Sequence, residues 1–214
     1  GKRIDADYFL EIIADGSLHA CDYLLGSDME MEPVPGYSFT SWEHGYGDFR
    51  LIPDLNSLRI CDWLDKTAIV ICDVYKENGI DFVEEAPRSI LKEQIKRLKT
   101  LGFQANIASE LEFYLFKDSY DEVYRKGFNK LETSSHYMDD YNILQGTKEE
   151  DVIGAIRRHV KRSGIPVEFS KGETGHGQQE INLRYSNPLE MADRHVIYKQ
   201  AVKEIAWKKG KSVT

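Results

Sequence analysis

The segment SELEFYLF, residues 109–116, constrains the fold more than any other part of the chain. Its apolar residues alternate with Glu110 and Glu112, and a period of two is the signature of a half-buried strand. On such a strand Leu111, Phe113 and Leu115 share one face and both carboxylates share the other. Some sheet in this protein must therefore carry an acidic face. Two like charges held side by side in so apolar a run call for a reason beyond solubility.

The surrounding pattern has two textures. Residues 17 to about 80 read as short strands in HACDYLLGSDMEM, DFRLIP, SLRICDW and TAIVICDVY, broken by VPG, EHGYG and PDLNS turns. The run AIVICDV is apolar enough for a central strand. Ahead of them, Asp5 is a candidate cap for a leading helix that Gly16 would end. From EEAP onward helices alternate with strands. Pro87 opens a helix that Gly102 closes, with Ile90, Leu91, Ile95, Leu98 and Leu101 at helical spacing. A loop is expected over 117–143. After it, TKEEDVIGAIRRHVKRSG predicts a helix with a Thr147/Glu150 capping box and an inner stripe of Ile153, Ile156 and Val160. Strands VEFS and EINLRYS follow, then a helix from Asn187-Pro188 to Gly210, and a strand beginning at SVT. The fold class is α+β, with domains expected at 1–85 and 86–214.

A second acidic constellation lies in KGETGHGQQEINLRY, where Glu173 and Glu180 flank a turn containing Gly175 and Gly177. Those two acids can face each other across the turn, and can face Glu110 and Glu112 on a neighbouring strand. Four carboxylates in one pocket repel unless cations sit among them. An oxygen-rich set with no histidine or cysteine suits Mg²⁺ or Mn²⁺. Such ions typically manage phosphate charge in phosphoryl transfer. Taken singly, an E-x-E strand is more often a solvated face and the GHG turn a polar loop. It is their pairing that points to a metal. The turn is no dinucleotide fingerprint, because position 180 is Glu, and the chain has no P-loop.

Composition narrows the partners. The net charge is −8 without a basic block, so nucleic acid is not expected. No apolar run approaches the roughly 20 residues that cross a bilayer. Cys21, Cys61 and Cys72 form neither a C-x-x-C nor a disulfide framework, which predicts reduced thiols and a cytoplasmic protein.

SELEFYLF, followed about 60 residues later by KGETGHGQQEINLRY and then by NPLEMAD and VKEIAWKKG, resembles the glutamine synthetase family. DYLLGSDMEMEPVPGYSFTSWEHGYGDFRLIPDLNSLR is similar to the N-terminal β-grasp domain of its amine-using members, such as gamma-glutamylpolyamine synthetases. The resemblance implies a β-grasp domain followed by the first part of the α+β catalytic domain. It also implies ligation of glutamate to ammonia or an amine, with ATP as co-substrate and gamma-glutamyl phosphate as intermediate. By the same likeness Glu112, Glu173 and Glu180 would hold one Mg²⁺ or Mn²⁺, Glu110 would help hold a second, and Tyr185 would lie near the nucleotide. Family members assemble as stacked homo-oligomeric rings, and the segment 36–48 would close a neighbour's active site.

The likeness has two gaps. Where ammonia-using members carry an ammonium-binding Asp, this chain reads VPGY at 34–37, which implies an amine larger than ammonia. The family's His-containing motif, glutamate-binding loop and arginine cluster would all lie beyond the position of Thr214, so the chain is expected to be an N-terminal fragment, inactive alone. A non-catalytic metal-binding or regulatory relative is the alternative. A metal-free carboxylate-pair hydrolase is a third class, since Glu110 and Glu112 would lie roughly 6–7 Å apart along a strand.

Overall fold

The computed structural model describes residues 1–15 and 18–214, with side chains of Ala14 and Asp15 left aside. It falls into two compact units, Gly1–Leu58 with Val70–Gln104, and Arg59–Ile69 with Ala105–Thr214.

The first unit begins with α1 (Ala6–Asp15), whose first-turn amides of Asp7 and Tyr8 donate to the Asp5 carboxylate at 3.0 and 3.4 Å. The expected terminator Gly16 lies outside the described residues. A three-stranded antiparallel sheet follows, built from β1 (His19–Cys21), β2 (Asp48–Pro53) and β5 (Cys72–Tyr75) in the order β1-β2-β5. DFRLIP therefore takes the centre. The run AIVICDV is not a central strand. It breaks into β4 (Ala68–Ile69) and the edge strand β5, which belong to different sheets. Val70 and Ile71 are where the chain changes sheet, a switch that hydropathy does not register. Phe49, Val83 and Ala86 form the buried core of this unit, with Leu25, Phe39 and Val74 against them.

Helix α2 (Pro87–Thr100) starts with Pro87 in its first turn. It ends in a Schellman motif: Gly102, at φ +81°, donates to Lys99 O at 3.0 Å, and Phe103 donates to Leu98 O at 3.2 Å. Packing groups this helix with the first unit. Arg88 in its first turn bonds Asp54 at 2.7 Å and also Asp73, and Lys92 bonds Asp73. A cation near a helix N-terminus is disfavoured by the dipole, so these ion pairs are what hold it there.

The second unit is built on a four-stranded antiparallel sheet in the order β7-β8-β6-β9, comprising β6 (Ile107–Phe116), β7 (Val167–Gly172), β8 (Gln178–Ser186) and β9 (Ser212–Val213). SVT thus finds its partner in Leu115 and Phe116 of β6. The expected loop 117–143 contains a short helix, α3 (Tyr120–Arg125), opened by a reciprocal Ser119–Glu122 capping box. Helix α4 (Ile143–Arg162) begins earlier than the Thr147/Glu150 box predicted. Asn142 caps it, accepting from Gln145 N at 3.2 Å, and Thr147 Oγ1 donates inside the helix to Ile143 O. Helix α5 (Pro188–Lys208) starts behind the Asn187 cap and ends before Gly210 at φ +68°.

Ile153, Ile156 and Val160 of α4, and Ile197, Ala201 and Ile205 of α5, are buried with Phe113, Leu115, Ile181 and Leu183 of the sheet. The segment 59–69, with β3 (Arg59–Ile60) paired to β4, is tied to these helices. Trp63 Nε1 donates to Glu204 at 2.5 Å and His159 Nδ1 bonds Asp62 at 2.6 Å. The architecture is mixed α/β with small antiparallel sheets.

The Arg88 pairs set the acid response of the first unit. Its hydrogen bond holds the Asp54 carboxyl below the ordinary value of 3.8. A depressed carboxylate contributes stability above its unfolded value and loses it as pH falls through the folded one. Arg88→Met is expected to cost about 2 kcal/mol at neutral pH in urea denaturation, between the typical exposed and buried pairs. The gap from wild type should narrow below about pH 4.

Candidate metal centre

The register of three strands assembles the acidic face. Glu112 of β6 is paired directly with Glu180 of β8, and Glu180 is paired on its other side with Lys171 of β7. The next rung on this face holds Tyr114 opposite Gln178, and Glu173 N donates to Gln178 O at 2.9 Å. The rung before holds Glu110 opposite Asn182. The reverse face of the same strands carries Phe113, Leu115, Ile181 and Leu183, which explains why SELEFYLF is both acidic and apolar.

Glu112, Glu173 and Glu180 each offer a carboxylate oxygen, and these oxygens lie within 4.8 Å of one another. Glu110 is not among them. It is exposed two residues along β6 on the same face. Tyr185 is also apart, exposed near the end of β8 and five residues past Glu180. So the structure brings three of the four predicted acids together and leaves Glu110 and Tyr185 outside that group.

Like charges directly opposite in a sheet repel. Here Glu180, hydrogen-bonded to Glu173 and buried, is held above the ordinary carboxylate range. Glu173, which accepts that bond and the Lys171 ammonium, is held below it. Gln178 Nε2 donates to Glu112 at 2.5 Å, and Gln178 Oε1 accepts from Gly175 N at 3.0 Å, so the turn amide orients the side chain that orients Glu112. Gly177, at φ +76°, makes the turn.

Sequence reasoning missed three residues here: Lys171, Asp140 and Tyr141. Lys171 had a signal, since it lies two residues before Glu173 near the end of the VEFS strand, where it pairs with Glu180. Asp140 arrives by a parallel bridge to Gly172 from the 117–143 segment, and periodicity offers no cue for that.

Three carboxylate oxygens at this spacing form the hard donor set that suits Mg²⁺ or Mn²⁺. An ion held by these three would have water and substrate oxygens to complete its shell, as is usual for Mg²⁺.

Comparison with known proteins gives the context. The family model for the glutamine synthetase catalytic domain matches residues 84–214. A gamma-glutamylethanolamide synthetase of Streptomyces coelicolor is 38% identical over 214 residues, covering 100% of this chain and 46% of that protein. A glutamate–isopropylamine ligase of Pseudomonas sp. is 36% identical over 217 residues, with coverage of 100% and 46%. The chain thus spans about half the length of these curated relatives. A solved glutamine synthase homolog superposes with a TM-score of 0.78 at 19% identity, covering 100% of this chain and 46% of that one, a likeness of fold.

Gly172 lets the 139–141 segment reach the site, because a Cβ there would meet Asp139 O at 2.5 Å. Gly172→Ala is expected to cost about 1–3 kcal/mol and to speed amide exchange over 139–142. Gly146→Ala, with open space around it, should be neutral or mildly stabilising in the same denaturation assay.

Proposed function

The chain belongs to the glutamine synthetase family, and we propose that the protein carrying it is an ATP-dependent ligase joining the side-chain carboxylate of glutamate to an amine larger than ammonia. The observation that supports this best is the convergence of Glu112, Glu173 and Glu180 on a sheet face matching that family. These three residues would hold one divalent ion, and Glu110 would contribute to a second. Bound there, such ions would neutralise carboxylate and phosphate charge, so that anionic reactants tolerate one another.

In the proposed reaction a carboxylate oxygen of glutamate attacks the γ-phosphorus of ATP and ADP leaves. The amine nitrogen then attacks the acyl carbon of gamma-glutamyl phosphate, and phosphate departs as the nitrogen loses a proton. This chain's own contribution is placement. The β6–β8 register fixes Glu112 against Glu180, Gln178 orients Glu112, and the β7–β8 turn carries Glu173 alongside. Tyr185 is proposed to lie near the nucleotide.

The choice of a larger amine rests on VPGY at 34–37, where no carboxylate stands. Val34 and Tyr37 line a cleft in the first unit with Tyr23, Trp42, Tyr46 and Glu43, aromatic surroundings with a carboxylate that would suit a substituted amine. The relatives named for ethanolamide and isopropylamine chemistry support the same choice. The β-grasp identity of the first domain, a ring-shaped homo-oligomer, a cytoplasmic location and inactivity of residues 1–214 alone are parts of this proposal. Among the described residues no helix is long and apolar enough to cross a membrane.

Phosphate release by the full-length protein is expected to require glutamate, an amine and a divalent metal together, and to stop in EDTA. Across ammonia, ethanolamine, isopropylamine, putrescine and spermine, a substituted amine should give the highest kcat/KM. Equal or better rates with ammonia would overturn the larger-amine choice. Glu112→Gln, Glu173→Gln and Glu180→Gln should each lower kcat/KM by about 100-fold or more. Activity that survives EDTA would instead favour a metal-free carboxylate pair.

A further inference from the structure

The Lys171 ammonium lies between two sets of acceptors. On one side are the Glu173 carboxylate, in direct contact, and Glu180 Oε2 at 3.7 Å. On the other are Asp140 Oδ1 at 3.1 Å, Gly172 O at 3.4 Å and the ring of Tyr141, whose centroid is 4.6 Å away. The side chain is only 18% exposed, so its reach is confined to these partners.

The second set is built with care. Asp139 is buried at 1% exposure; its amide donates to Glu173 O at 3.2 Å, and its carbonyl accepts from Asn142 N at 2.8 Å. The bare Cα of Gly172 admits that segment. Tyr141 is held at φ +52°, a conformation that residues with a side chain rarely adopt. The result is a carboxylate and an aromatic face presented together to one ammonium.

An ammonium and a divalent ion cannot both take the same Glu173 oxygen, because their charges repel at contact distance. We propose that Lys171 is a positioning residue that competes with the divalent ion for the glutamate trio and withdraws to Asp140 and Tyr141 when the ion binds. Its contacts with Glu173 and Glu180 set how tightly the trio holds the ion. This rests on the trio being the metal site of the proposed ligase.

The test is Mn²⁺ affinity without substrates, read from the free Mn²⁺ EPR signal on full-length protein. Wild type, Lys171→Gln, Asp140→Asn, the double variant and Glu180→Gln would be compared. Lys171→Gln removes the competitor and is expected to tighten the Glu180-dependent site about 10-fold. Asp140→Asn removes the place of withdrawal but keeps the ammonium, so it should weaken that site about 3- to 10-fold. The double variant should behave as Lys171→Gln alone, since Asp140 acts only through Lys171. A merely structural Lys171 would move both single variants the same way. Unchanged or weaker binding in Lys171→Gln, with an unchanged Tm, overturns the proposal. If Lys171→Gln does not fold, wild-type affinity in Asp140→Asn overturns it. If wild type shows no Mn²⁺ site that Glu180→Gln removes, the metal reading itself falls, and this proposal with it.

Discussion

The pairing of Glu112 with Glu180 across β6 and β8 is the constraint on which the rest of the second unit depends. Two carboxylates directly opposite on adjacent strands are unfavourable by themselves. The register cannot slip to relieve them, because a shift of one residue would turn Phe113, Leu115, Ile181 and Leu183 out of the core. Helix α5 packs against β6 and β8, so the apolar face fixes the geometry of the acidic one. Hydrophobic burial on one side of a strand is thereby used to hold like charges together on the other. The Lys171 ammonium, against both Glu173 and Glu180, offsets part of the repulsion.

The parts of the fold that local chemistry determines were legible in the sequence. Strict alternation marked β6 and its two faces. Pro87, Gly102, the Asn187-Pro188 pair and Gly210 each marked a helix end, because a missing N–H, a positive φ or an Asx cap acts within a few residues. The parts that depend on distant partners were not. TAIVICDVY reads as one apolar strand, yet it serves two sheets. The start of α4 was misplaced because Ile143 and Leu144 lie in its first turn at 86% and 62% exposure, apolar residues where an amphipathic pattern expects polar ones.

The candidate site divides along the same line. Glu112, Glu173 and Glu180 were named from two motifs, and the register brings their oxygens within 4.8 Å. Glu110 shares the strand face that alternation requires, but lies outside that group. Asp140 and Tyr141 reach the site through a turn anchored by the buried Asp139 and admitted by Gly172. The sequence shows only an unremarkable DDY there. Such a contact is set by tertiary packing, and no window of neighbouring residues contains it.

The claim beneath the proposed ligase is that the β6–β8 face exists to hold a divalent cation. Anomalous diffraction from crystals of the full-length protein soaked in Mn²⁺ tests it most directly. The account predicts a manganese peak with one oxygen each from Glu112, Glu173 and Glu180 at about 2.1 Å, near the distance hard octahedral ions demand. Manganese found only elsewhere, with those three side chains turned from one another, would contradict it.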